Sequence, residues 1–137
     1  MKFAHIADVH LGTRRETPYL YDGFLNFIDY MELHPVDMIF ITGDLFDHVP
    51  TKEDIMFVDT QLARLPKTDI LYVTGECDYL ARDSVLWNYE FVSRTYLLNC
   101  EDIHNHVPDG ERAERNSYAE GIADSLHFAN YNVDVYG

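Results

Sequence analysis

Cysteine occurs only twice, at Cys77 and Cys100, so the multi-bridge framework that staples small secreted proteins is excluded and both thiols are expected to be reduced. No run reaches the roughly 20 apolar residues that a membrane-spanning helix needs. Met1-Lys2-Phe3 passes straight into Ala4-His5-Ile6-Ala7-Asp8 without the apolar region of a secretory signal. These absences read as a soluble cytoplasmic protein with no membrane attachment. Positive charge is scarce as well: 10 Lys plus Arg face 24 Asp plus Glu, a formal net charge of −14, and Lys2, Lys52 and Lys67 are the only lysines. A field of that sign repels a phosphate backbone. Nucleic acid is therefore expected to bind only through metal ions or through a partner that reverses the charge locally.

What is present suits a folded core. Of 137 residues, 47% are hydrophobic and 14% aromatic, too rich for a disordered chain. The length fits a single domain over 1–137, or part of a larger one. Residues 2–9 read as a short strand, and apolar residues at 20, 24, 27, 28 and 31 give a helix over Tyr19 to Leu33 that Pro35 ends. The run from Asp37 to Gly43 is continuously apolar, as in a strand buried on both faces. Thr51-Lys-Glu-Asp54 resembles a capping box, with apolar residues at 55, 58, 62 and 65 continuing the helix to Pro66. Asp69 to Gly75 repeats the buried-strand pattern. The order is βαβαβ, an α/β chain with a mainly parallel sheet flanked by helices. Farther on, 83–93 reads as a short helix, Thr95–Leu98 as a strand, 101–121 as a polar loop, and Ser125–Ala129 with Val133–Tyr136 as a closing strand pair.

Each strand-to-helix junction carries acids: Asp8-Val-His10, Gly43-Asp44-Leu-Phe-Asp47 and Gly75-Glu76-Cys77-Asp78. In an open parallel sheet these carboxyl ends lie side by side where ligands bind. That brings Asp8, His10, Asp44 and Glu76 within reach of one another. Residues 8 and 10 of an extended strand point the same way, so the pair offers an oxygen and an imidazole nitrogen to one ion. Oxygen with imidazole suits Mn, Fe or Zn better than Ca. Alone, an Asp-x-His at a strand end is an ordinary surface feature and Gly-Asp is often only a turn. Three such sites on consecutive strand ends point instead to metal or phosphate chemistry.

Asp8-Val-His10-Leu-Gly, Gly43-Asp44-Leu-Phe-Asp47 and Gly75-Glu76-Cys77-Asp78-Tyr resemble the first three motifs of the calcineurin-like metallophosphoesterases, most closely the SbcD-like DNA-repair exonuclease branch. The resemblance covers nearly the whole chain. It implies the first half of a two-sheet sandwich flanked by helices, and a metal-dependent phosphodiesterase holding one or two ions. Manganese is the usual ion of the family, with iron, zinc or magnesium as alternatives. By the family pattern Asp8 and His10 hold one metal, Asp44 bridges both, and Glu76 stands where an Asn binds the second. Cys77 stands at the position of the catalytic His, where a thiol is a poor hydrogen-bond donor and a metal-stabilised thiolate would bind the ion instead.

The family supplies three further histidine ligands from later motifs, so relative to it the chain is read as truncated and its metal site as incomplete. Turnover by the chain alone is expected to be weak or absent. His104-Asn-His106 lies before the expected place and reads as a pair of solvated loop histidines; His127 reads as a sheet residue, His5 and His34 as structural, and His48 as a substrate-side candidate. One face of the sheet is expected to lack cover, which implies a homodimer or a separate protein partner. The alternatives are a non-catalytic binding or regulatory module and, last, a structural domain without an ion.

Overall fold

The computed structural model describes residues 1–12, 17–79, 84–98, 103–104, 114–116 and 125–136. The first four strands, β1 (Phe3–Ile6), β2 (Met38–Thr42), β3 (Asp69–Val73) and β4 (Thr95–Leu98), lie parallel and side by side in chain order. Between them run α1 (Pro18–Leu33) and α2 (Lys52–Leu62). A fifth strand, β5 (Ile103–His104), pairs antiparallel with β4. A second, three-stranded antiparallel sheet consists of β6 (Glu114–Asn116), β7 (Ser125–Phe128) and β8 (Val133–Tyr136). This is the α/β arrangement expected from the sequence, and the closing strand pair falls where the alternation placed it.

Local chemistry sets the helix bounds. Pro18 sits in the first turn of α1, where its missing N–H costs nothing. Tyr21, Phe24, Ile28 and Met31 follow at helical spacing and are buried. At α2 the Thr51 hydroxyl accepts the Asp54 N–H at 3.3 Å, and the Asp54 carboxylate accepts the Thr51 N–H at 2.9 Å. The capping box thus closes with Asp in place of the usual Glu.

β2 and β3 bury both faces, which is why they read as unbroken apolar runs. On one face Ile39, Ile41, Ile70, Tyr72 and Leu97 pack against Phe24, Ile28, Ile55, Val58 and Leu62 of the helices. On the other, Met38, Leu71, Tyr96 and Leu98 meet Phe128, with Tyr131 and Val135 beside it. The face expected to lack cover is therefore covered around β3 and β4 by the chain's own second sheet. At β1, Phe3 packs edge-on against Phe40 yet remains 61% exposed.

Three local expectations change. The strand read over 2–9 stops at Ile6, because Asp8 and His10 take left-handed backbone conformations. The helix read over 83–93 does not form among the described residues, where 84–93 run as turns and bends. Ser84 accepts the Trp87 N–H at 3.1 Å as a helix cap would, but the buried carboxylate of Asp59 accepts the N–H groups of Val92 and Ser93, each at 2.9 Å, and so ties the end of the segment to α2 instead of to a helix of its own. Within 101–121, read as a loop, β5 and β6 form short strands; edge strands this short need backbone pairing and no apolar alternation. The rest of 101–121, with His106, and also Cys100 lie outside the described residues.

Candidate metal centre

The three junctions at the carboxyl ends of β1, β2 and β3 are tied into one unit by backbone and side-chain hydrogen bonds. Beyond the end of β1 the chain keeps pairing with the segment after β2: Asp8 N–H donates to Gly43 O at 3.1 Å, His10 N–H to Asp44 O at 2.9 Å and Leu11 N–H to Leu45 O at 2.9 Å. This ladder requires positive φ at Asp8 (52°), His10 (51°) and Asp44 (43°). Such conformations cost about 1–3 kcal/mol each and gather at functional sites, where the surroundings impose them. Asp8 and His10 are thus placed by pairing with the second junction, and not by the alternation of an extended strand.

Asp44 joins the second junction to the third. Its Oδ1 accepts the Cys77 N–H at 2.9 Å, and its Oδ2 lies 4.0 Å from His10 Nε2. The carboxylate is therefore held from one side and offers its other oxygen toward the imidazole. One donor atom from each of His10, Asp44 and Cys77 lies within 4.8 Å of the others, all three residues half-buried. Partial burial and the nearby Asp44 carboxylate push the Cys77 thiol above its ordinary pKa.

The sequence-predicted residues thus separate. His10 and Asp44 come together as expected, and Cys77 joins them. Asp8 and Glu76 are exposed and contribute no donor atom to the group. His48 lies apart from it, bonded through Nδ1 to Asp47 and through Nε2 to Asp54 at 3.3 Å. The Asp47 hydrogen bond raises the His48 pKa above its ordinary value. At Asp54, desolvation is outweighed by the hydrogen bonds from Thr51 and His48, so its pKa falls. The His48 contribution to stability is fully present below the unfolded histidine value of about 6.5 and is lost as pH rises through the higher folded value. Thermal melts across the range from about pH 5 to about pH 9 are expected to show a Tm advantage of the native chain over His48→Gln that shrinks on the alkaline side. An advantage that grew with pH would contradict the assignment.

Two glycines and one aspartate were not assigned from sequence. At Gly75 a Cβ would come within 2.5 Å of the Asp44 backbone nitrogen and 2.7 Å of its carboxylate carbon, so only glycine lets the third junction approach Asp44 this closely. At Gly12 a Cβ would collide with the Asp47 carboxylate, and the Gly12 carbonyl accepts the Tyr21 hydroxyl at 2.8 Å. Gly75→Ala is expected to cost about 1–3 kcal/mol of stability through overpacking. It should also weaken divalent-metal binding by displacing Asp44, measured by urea unfolding and metal titration on the same sample. Asp78 is fully buried and accepts from Leu45 N–H at 2.8 Å, Phe46 N–H at 3.2 Å, Gly75 N–H at 2.6 Å and the Tyr72 hydroxyl. Burial, reinforced by the Asp78 charge, raises the Tyr72 pKa well above its usual range, so the phenol stays a donor. The signal for Asp78 lay in the Gly75-x-x-Asp78 spacing, in which a carboxylate reaches back to the N–H three residues earlier.

One imidazole, one carboxylate and one thiol converging at a junction crevice form a donor set for a divalent transition-metal ion. The family model for calcineurin-like phosphoesterases matches residues 1–134. The chain is also 25% identical, over 142 residues, to the DNA double-strand break repair protein Mre11 of Methanopyrus kandleri; the match takes in 96% of this chain and 30% of that protein. The chain therefore spans less than a third of the length of that relative.

Proposed function

The chain belongs to the calcineurin-like phosphoesterase family, and from that premise we propose that its junction crevice binds a divalent cation and acts on phosphodiesters, with DNA as the substrate class suggested by the repair-protein relative. The observation that carries this reading is the convergence of His10, Asp44 and Cys77 donor atoms within 4.8 Å. A cation bound there supplies Lewis acidity toward a phosphoryl oxygen and a lowered pKa for nearby water. The chain's own part is positional. Asp44 is oriented by the Cys77 N–H, and His10 is set by its backbone bond to Asp44. With a net charge of −14 the chain repels a phosphate group, and such a cation offsets that repulsion at the crevice.

The resemblance brings manganese with it, with iron, zinc or magnesium as alternatives. A cytoplasmic setting, and a homodimer or a separate protein partner covering the exposed sheet face, are proposed beside it from the sequence and not from the resemblance. A second reading, a binding module without turnover, is favoured by one observation: the third junction presents a thiol and an exposed carboxylate in place of an amide and an imidazole. Hydrolysis of bis-p-nitrophenyl phosphate and of single-stranded DNA, assayed with added metal and again after chelation, separates the two. Metal-dependent turnover that chelation removes supports the enzyme. Bound metal with no turnover supports the module.

A further inference from the structure

We infer that this crevice is a zinc-selective site in which Cys77 is itself a metal ligand, together with His10 and Asp44. The inference deepens the proposed metal-binding reading and rests on it for the location of the site. Three features carry it.

The first is donor chemistry. Manganese favours oxygen ligands, whereas zinc is bound by thiolate, imidazole and carboxylate in mixed sets, and a thiolate shifts the preference strongly toward it. Two of the three atoms that converge here are nitrogen and sulfur. Asp8 and Glu76, the oxygen donors that would move the site toward manganese, stand outside the group.

The second is reach. Tetrahedral zinc, with bonds of about 2.0–2.3 Å, holds its donors roughly 3.3–3.8 Å apart. His10 Nε2 and Asp44 Oδ2 are 4.0 Å apart, and all three donors lie within 4.8 Å.

The third is support around the ligands. The Asp44 oxygen not facing His10 is held by the Cys77 N–H, so the same bond orients the carboxylate and fixes the loop that carries the thiol. Asp78 anchors Gly75 and the segment Leu45–Phe46 beneath them. Outer hydrogen bonds of this kind typically change metal affinity by about 10–100-fold. Three protein ligands leave a tetrahedral ion one open position, the pattern of reactive rather than purely structural zinc.

Cobalt(II) titration of the full 137-residue chain tests the assignment, because a cobalt–thiolate bond gives a charge-transfer absorption in the near ultraviolet. The expected result is one equivalent of cobalt with that band, displaced by zinc and not by equimolar manganese. Cys77→Ser should abolish the band and weaken zinc binding, measured by chelator competition, by on the order of 100-fold or more. The same change should leave manganese binding within about 3-fold, and Cys100→Ser should retain the band. Far-ultraviolet circular dichroism checks that Cys77→Ser is folded. In the Cys100→Ser background, protection of Cys77 from alkylation by zinc but not by manganese reads the same contact without altering the site. Cobalt or zinc bound without the band, a band that survives Cys77→Ser, or unchanged zinc affinity in that variant would overturn the inference. If manganese-dependent hydrolysis were then present, the phosphoesterase reading would stand without it. If zinc, cobalt and manganese all failed to bind, both would fall. Zinc held through Cys77 with no hydrolysis would support the inference and reject the catalytic reading.

Discussion

Asp44→Ala is expected to abolish divalent-metal binding and to lower any metal-dependent phosphodiester hydrolysis by on the order of 10³-fold, since a bound ion supplies several kcal/mol of charge stabilisation and each 1.36 kcal/mol is a factor of ten. The residue does two things that no neighbour duplicates. One of its oxygens accepts the Cys77 N–H at 2.9 Å, and the other faces His10 at 4.0 Å. Removing the carboxylate therefore takes away one donor and releases the loop that presents another. Asp44→Asn separates the two effects, because its amide oxygen can still accept the Cys77 N–H while the charge is gone. Metal binding should fall in both variants, and loop order, read from hydrogen exchange of the Cys77 N–H that Asp44 accepts, should change only in the alanine variant. Metal affinity unchanged in Asp44→Ala would remove the crevice as the site.

Asp78→Ala carries the largest expected effect on folding. Truncation leaves the N–H groups of Leu45, Phe46 and Gly75 and the Tyr72 hydroxyl without their buried acceptor. An unsatisfied buried donor costs about 1–3 kcal/mol. Because water can enter the space left behind, the total is expected to be on the order of 3–5 kcal/mol, against a typical domain stability of about 5–15 kcal/mol. Urea unfolding followed by tryptophan fluorescence should place Asp78→Ala at or near the edge of folding in water. Tyr72→Phe, which removes one of the four donors, should lose only about 1 kcal/mol. Equal losses for the two variants would mean that the backbone donors find other acceptors and that Asp78 does not organise the junctions.

The motifs, both helices and the closing strand pair were legible because their signals are local. Apolar spacing fixed the buried face of α1, Thr51 and Asp54 announced the start of α2, and unbroken apolar runs marked β2 and β3. What escaped the sequence depends on residues more than 30 positions apart. Asp59 reaches across 33 and 34 residues to Val92 and Ser93, converting an expected helix into turns. The left-handed conformations of Asp8 and His10 follow from a backbone ladder to Gly43 and Asp44, which no pattern near residue 8 encodes. The same ladder places His10 beside Asp44 in the candidate donor group, which the Cys77 N–H joins through Asp44, whereas alternation along an extended strand would have paired Asp8 with His10.

Because neighbours in the parallel sheet are also successive in the chain, assembly can follow synthesis. Each strand leaving the ribosome meets its partner already in place, and elongation at about 5–20 residues per second is slow beside loop closure. Cys77, the last donor, and Asp78, which locks the junctions, emerge together, long before β7 and β8 exist to shield the opposite face. The nascent chain would then be able to capture a metal ion while Met38, Leu71, Tyr96 and Leu98 still lack the apolar cover of Phe128.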